Sequence, residues 1–522
     1  MFVRIRPIYF LLPLLCLPFL TMGSQFVGAE HDDALYILGS QALALGNYTQ
    51  WFLPGSPRFV NGPPGLPALL LPVGFFAPEN LFLYQLLMAA VASLAVFFFW
   101  KAAHRYFPKL TATTLTAFFA ANPVFLYRSG MVMPEIPALA VGLYLWWKQD
   151  RISGWAIGTW LLAAYLIRPA SVALWGAVWG TLLIQRQWKK GAFSLVLPFV
   201  GLILWSAWCH GHGGMQENKE LAVFYKGVAG FLKTALTVSA SNGKEILLIT
   251  GQSFLPVFLA RDAVALGWGA VLWIISGLGL FIGLRHSSME PTEIHSRPNQ
   301  SGMTIQESLI KASPKTNFFP LLWTGSHLFM HLFWPYWYNR YYVLLFPMLL
   351  AGLALALTEL QQAGSPLSGL FSGKNSGTAG RWRTNSIWVG TTALFCVIFF
   401  GHSIRWFRTP GERPTRPLHE WVKTNVPPHA LCASLFYGTD ILYTGRLFSP
   451  LWNESNPDQF YAQAKKRKVE FILWDNTPAG LGHSTPDTPV DLWRANVARW
   501  LTDPTRYRPL FTTPAGTIFS PL

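Results

Sequence analysis

The chain has 522 residues, of which 52% are hydrophobic and 12% charged, against ~25% charged in an ordinary soluble domain. So few charges exclude a cytosolic enzyme, a disordered chain and a disulfide scaffold, and they define a polytopic α-helical membrane protein. The net charge of +16 suggests a nucleic-acid partner only until its placement is read.

Apolar runs long enough to cross a ~30 Å hydrocarbon core as helices stand at 8–28, 80–100, 110–127, 131–147, 153–168, 170–185, 192–209, 263–284, 318–335, 341–358 and 387–404. That predicts about 11 transmembrane helices. The first run lacks a small-residue cleavage site and reads as a retained helix. With the N-terminus in the cytoplasm, the cytoplasmic connections hold 17 of the 40 Lys and Arg, the outer connections 9, and the stretch beyond residue 404 the other 14. A bias of this sign is the positive-inside signature. The basic excess is therefore a topology signal, and no nucleic acid is expected. Cys16, Cys209, Cys396 and Cys432 form no metal-binding spacing.

The chain thus divides into a membrane domain at 1–404 and a soluble tail at 405–522, which an odd span count leaves outside the cytoplasm. In the tail, Leu431–Tyr437 and Val469–Trp474 read as strands. Segments near 417–425, 457–468 and 490–502 have helical spacing, so a small α/β domain is predicted. Cytoplasmic connections 285–317 and 359–386 are rich in Ser, Gly, Pro, Asn and Thr and read as linkers.

The outer loop at 29–79 carries the most information. It begins Glu30-His31-Asp32-Asp33-Ala34-Leu35-Tyr36 where the first span ends, and Leu35, Leu38, Ala42 and Leu45 then recur up to Gly46. The spacing predicts a short amphipathic helix in the membrane interface, with both aspartates at its N-terminus. Asn61-Gly62-Pro63-Pro64-Gly65-Leu66-Pro67 then forms a stiff turn back toward the bilayer.

This acidic pair, amphipathic stretch and Pro-Pro-Gly turn resemble the GT-C glycosyltransferases, in particular the protein mannosyltransferases and lipid A aminoarabinose transferases. Met133-Pro134-Glu135-Ile136-Pro137, Arg168-Pro169, Asn339-Arg340-Tyr341-Tyr342 with Pro347 following, and Tyr443-Thr444-Gly445-Arg446 agree in order. The resemblance covers essentially the whole chain. The family usually shows Asp-Glu where this chain has Asp32-Asp33.

The resemblance implies a multi-pass enzyme of the inner or plasma membrane. It would move a sugar from a polyprenyl-phosphate-type donor to a protein, lipid or glycan acceptor on the outer face. Such chemistry needs a carboxylate base for the acceptor and cations for the departing phosphate. Asp32, Asp33 and Glu135 are the implied acids, and Arg340, Arg168 and Arg261 the implied phosphate ligands. Tyr36, Pro63, Pro64 and Gly65 are the implied substrate loop. His327 and His331, one helical turn apart, suit a metal pair or a phosphate contact. Metal use stays open, with no cofactor certain. A divalent cation is the one candidate, although Asp32 and Glu135 alone fall short of the oxygen ligands a hard cation takes.

Plainer readings stand beside these. Asp32 or Asp33 as a helix cap, Glu135 as a dipole partner, the arginines as interfacial anchors, and the histidines as aromatic-belt residues are the alternatives. An O-antigen-type polymerase or ligase would carry its long outer loop centrally. A transporter would show charges at the bilayer midplane and paired halves, and a sensor would use the tail as a binding module.

Overall fold

The computed structural model describes residues 7–23, 26–60, 62–212, 227–255, 261–288, 318–332, 342–362, 413–452, 454, 456–476 and 489–522. Its first part is helical: α1 (Pro7–Leu20), α2 (Asp32–Ala44), α3 (Gly65–Phe76), α4 (Leu81–Tyr106), α5 (Lys109–Ala121), α6 (Pro123–Ser129), α7 (Glu135–Lys148), α8 (Gly154–Ile167), α9 (Val172–Ile184), α10 (Trp188–Gly211), α11 (Gly227–Phe254), α12 (Asp262–Ser288), α13 (Phe319–Leu332) and α14 (Tyr342–Gln362).

Among the described residues, three helices are long and apolar enough to cross a membrane: Leu81–Tyr106, Trp188–Gly211 and Asp262–Phe281. A fourth is a broken pair, α5 and α6, bent by 56°. Asn122 makes the break. Its side chain accepts the N–H groups of Val124 and Phe125 at 3.0 and 3.1 Å, and Pro123 has no N–H with which to continue α5. The runs at 131–147, 153–168 and 170–185 become helices of 14, 14 and 13 residues, shorter than read from hydropathy because Pro134 and Pro169 mark their ends. The stretch read as an outer connection after residue 209 contains the 28-residue helix α11, which Lys233, Lys244 and Glu245 had hidden from a hydropathy reading. The expected span at 387–404 lies outside the described residues.

The amphipathic helix predicted after the first span is α2, and it closes as a Schellman motif. Asn47 N–H reaches the Ala42 carbonyl and Gly46 N–H the Leu43 carbonyl, with Gly46 at φ +78°. Its environment differs from the expectation of an interfacial helix. On one side Gly39 and Ser40 meet Pro67 and Gly74 of α3. On the other, Leu38 and Ala42 are buried against the tail. Protein removes the apolar stripe from water as well as lipid does, and the pattern alone does not distinguish the two.

The tail contains α15 (Arg416–Asn425), β1 (Leu431–Ser434), α16 (Tyr437–Thr444), β2 (Leu447–Pro450), α17 (Pro457–Lys466), β3 (Phe471–Asp475), α18 (Pro489–Leu501), β4 (Tyr507–Thr513) and β5 (Gly516–Pro521). The five-stranded sheet has the order β2-β1-β3-β5-β4. β1 pairs in parallel with β2 and β3, while β5 runs antiparallel to β3 and β4. One face of this sheet shares its core with the outer loop. Leu38, Ala42, Phe52 and Phe59 join Leu418, Val422, Tyr437, Ile441, Phe448 and Ile518 in a single apolar cluster. Phe52 is fully buried there, a burial that stabilises by about 1.5–3 kcal/mol. Loop and tail therefore hold each other in place.

Candidate active site at the outer loop

His31 occupies the N-cap of α2 at φ +60° and makes no side-chain capping bond. Asp32 and Asp33 fall in the first turn, where carboxylates complement the helix dipole. Their surroundings are different. Asp33 is 1% exposed; one oxygen accepts Gly28 N–H at 2.6 Å and the other accepts Ala34 N–H at 3.0 Å. Asp33 thus ties the turn before α2 to the helix. Asp32 lines a pocket of about 50 Å³ with Leu35, Tyr36, Tyr48, Phe59, Gly62 and Pro67. The pocket is firm on one side: Tyr48 stacks on Phe59 at 4.8 Å and donates its hydroxyl to the Gly62 carbonyl at 2.9 Å.

Burial raises Asp33 to about 7; the Gly28 and Ala34 N–H groups oppose the shift, and the charges of Glu30 and Asp32 add to it. An unfolded aspartate titrates near 3.9, roughly three units lower. The folded chain thus holds this proton more tightly, so its stability falls as pH rises from about 4 to about 7 and is level above that. The Asp33 share of the fall is at most about 4 kcal/mol. Melting temperatures of wild type and Asp33→Asn between these pH values are expected to diverge, with the steeper slope in wild type. Parallel curves would show that Asp33 is not buried as described. His31 is lowered by burial, with Asp32 and Asp440 opposing. Tyr437 is pushed up to about 12 by burial and by the Asp32 charge.

Two ion pairs, each with a buried arginine, flank the loop. Arg128, on the short helix after the Asn122-Pro123 break, reaches Glu30 at 2.7 Å. Arg168 follows the last residue of α8, and Glu135 is the first residue of α7. Arg168 Nη1 donates to Glu135 Oε1, so two motifs read separately in the sequence form one contact, with Glu135 fully buried. The Pro-Pro-Gly turn docks next to this pair. Pro64 precedes α3, and a methyl group at Gly65 would stand 2.3 Å from the Leu166 carbonyl carbon. Only a glycine lets the turn approach the end of α8 so closely.

The other expected residues are less tightly gathered. His327 is buried on α13, its Nδ1 3.3 Å from the Trp323 carbonyl, within electrostatic reach of Arg168. His331 lies on the next turn of α13. Arg261 is exposed just before α12, and Arg340 lies outside the described residues. Among the described residues, no three His, Cys, Asp or Glu side chains come together as a metal site.

Sequence reasoning had not placed Glu30 and Arg128 in the site. The Asn122-Pro123 dipeptide was the available signal, since a broken span delivers the residues after it to a new position. Nor did it associate Tyr437, Thr439 and Tyr443 with the acidic loop, for which no local pattern exists.

No family model and no curated protein matches the chain. Solved structures do. ArnT from Cupriavidus metallidurans bound to undecaprenyl phosphate aligns over 98% of this chain and 97% of its own, at 12% identity and a TM-score of 0.56. The same protein in the apo state aligns over the same shares, at 12% identity and 0.54. The apo oligosaccharyltransferase of Archaeoglobus fulgidus aligns over 90% of this chain and 70% of its own, at 13% identity and 0.50. Both proteins are members of the GT-C superfamily. The chain is therefore a membrane protein with the GT-C fold. At these identities the likeness is one of fold, and it extends through the tail.

Proposed function

We propose that the protein is an integral-membrane glycosyltransferase that moves a sugar from a polyprenyl-phosphate-type donor to an acceptor on the outer face of the membrane. The observation that carries this reading is the pocketed Asp32, on a loop that meets Arg128 through Glu30 and packs Gly65 against the end of α8, next to the Glu135–Arg168 pair. The undecaprenyl phosphate bound to ArnT supports the donor class.

In this reading an acceptor hydroxyl or amine enters between Tyr36, Tyr48 and Asp32, and the Asp32 carboxylate takes its proton as the acceptor attacks the anomeric carbon. The sugar–phosphate bond breaks, and the lipid phosphate leaves with the bonding electrons. Arg168, Arg340 and Arg261 are the proposed phosphate ligands, with Arg168 oriented by Glu135. Asp33 shapes the loop and takes no part in proton transfer. His327 lies within electrostatic reach of Arg168, and the Pro63-Pro64-Gly65 turn joins Gly62 to Pro67, both of which line the pocket. About 11 spans, with the tail outside the cytoplasm, fit this placement of the site.

Lipid and glycan mass spectrometry of a deletion strain tests the function. One lipid-linked sugar is expected to accumulate and one glycoconjugate to lack that sugar, both reversed by complementation. Unchanged lipid-linked sugars and glycoconjugates would overturn the reading and favour a transporter or sensor. A reporter fused after Leu522 is expected to be active only outside the cytoplasm, and cytoplasmic activity would move the site to the other face.

A further inference from the structure

The loop bearing Asp32 is gripped by the far end of the chain. Thr439 on α16 donates its hydroxyl to the Gly28 carbonyl at 3.0 Å, and the Tyr443 hydroxyl donates to the Val27 carbonyl at 2.7 Å. Gly28 passes the constraint on, because its N–H is the donor held by Asp33 at 2.6 Å. The fit is steric as well. Gly28 sits at φ +96°, and a methyl group there would stand 2.4 Å from Thr439. One at Gly438 would stand 2.8 Å from Leu35 and 3.2 Å from the His31 ring. That ring meets Tyr437 edge-on at 4.8 Å. A side chain at φ +60°, as in His31, persists only where its surroundings enforce it.

α16 is itself fixed from behind. The Tyr443 ring lies between the Arg413 guanidinium at 3.6 Å and the His419 ring at 5.7 Å. His419 Nε2 and Asp440 Oδ1, both buried, are 2.6 Å apart. Adhesion between two parts of a chain requires apolar burial, which Phe52 and its neighbours already supply. It does not require hydroxyls aimed at the two carbonyls immediately before the acidic turn.

We infer that Thr439 and Tyr443 are positioning residues of the transfer site: through Gly28 and Asp33 they set the 27–33 backbone and hence the direction of the Asp32 carboxylate. The inference rests on the glycosyltransferase reading for its activity arm only. The test uses full-length protein in nanodiscs, comparing wild type, Thr439→Val, Thr439→Ser and Tyr443→Phe. Hydrogen exchange is followed over 26–36 and 413–450. In parallel, the glycoconjugate lost from the deletion strain is measured at matched membrane levels of each variant.

Thr439→Val is expected to speed exchange over 27–33 at least tenfold while 413–450 and the melting temperature stay near wild type, and to lower product at least tenfold. Thr439→Ser restores both, and Tyr443→Phe shifts exchange in the same direction. Unchanged exchange over 27–33 in both Thr439→Val and Tyr443→Phe overturns the inference. So does faster exchange with full product, since the loop would then move without disturbing Asp32. A deletion strain that loses no glycoconjugate defeats the glycosyltransferase reading instead, and exchange still decides whether α16 sets the loop.

Discussion

Asp32→Asn is expected to leave the protein folded and able to bind a polyprenyl-phosphate donor while slowing sugar transfer by roughly 10²–10⁴-fold, the usual contribution of a positioned general base. Asn matches Asp in size and caps helices about as well, so a purely structural Asp32 predicts near-wild-type transfer. The geometry separates these outcomes. The N-cap of α2 is His31, which makes no side-chain capping bond, while Asp32 faces the pocket with Tyr36 and Tyr48. Asp33→Asn is the matched control. Its side chain keeps one acceptor oxygen for the two N–H groups that Asp33 now satisfies, so one buried N–H is left unsatisfied at a cost of about 1–3 kcal/mol, and its transfer is expected to fall less than that of Asp32→Asn. Equal rates for wild type and Asp32→Asn with a matched lipid donor would remove Asp32 from the mechanism. A large loss confined to Asp33→Asn would exchange the two roles.

The second large effect lies at the Arg168–Glu135 pair. Arg168→Ala leaves the fully buried Glu135 carboxylate without this guanidinium, and breaking a buried pair in this way costs about 3–5 kcal/mol. Lower detergent-resistant yield and a clearly depressed melting temperature are the expected readings, together with loss of transfer. The companion double variant, Arg168→Met with Glu135→Leu, removes both charges at similar volume. Replacements of that kind are often neutral or stabilising, so its melting temperature is expected to return toward wild type. Its transfer activity is expected to stay lost if Arg168 holds the donor phosphate. Recovery of both stability and activity would leave the pair with a structural role alone.

Much of the framework was legible in the sequence because it follows from local rules. The start of α2 at Asp32 and its end before Gly46, the start of α7 at Glu135 after Pro134, and the end of α8 before Arg168-Pro169 are written in residues a few positions apart. Capping, proline geometry and 3.6-residue periodicity act over that range. In the tail, β1 and β3 fall on the two apolar runs read as strands, and α15, α17 and α18 fall on the segments with helical spacing. Helix α16 covers Tyr437–Thr444, a stretch of eight residues too short for its period to stand out.

Hydropathy left the helix α11 unseen inside the stretch read as an outer connection, where Lys233, Lys244 and Glu245 interrupt the apolar pattern. It also assigned the stripe of α2 to lipid. For α2 the local pattern is compatible with more than one surrounding, and neighbouring protein buries Leu38 and Ala42.

By itself the sequence determined a helical chain of membrane composition, with acids and arginines set at helix termini. Only the tertiary structure decided which of these side chains meet. Glu135 and Arg168 are 33 residues apart, Glu30 and Arg128 are 98 apart, and Gly28 and Thr439 are 411 apart. No periodic or capping rule spans such distances. The partners are selected by packing: a bend at Asn122, a missing side chain at Gly65, Gly28 and Gly438, and Phe52 buried in a core that loop and tail share. Asp32 and Asp33 are neighbours of the same chemistry in sequence. One helical step of about 100° turns Asp33 into the interior, against two backbone N–H groups, and leaves Asp32 facing the pocket.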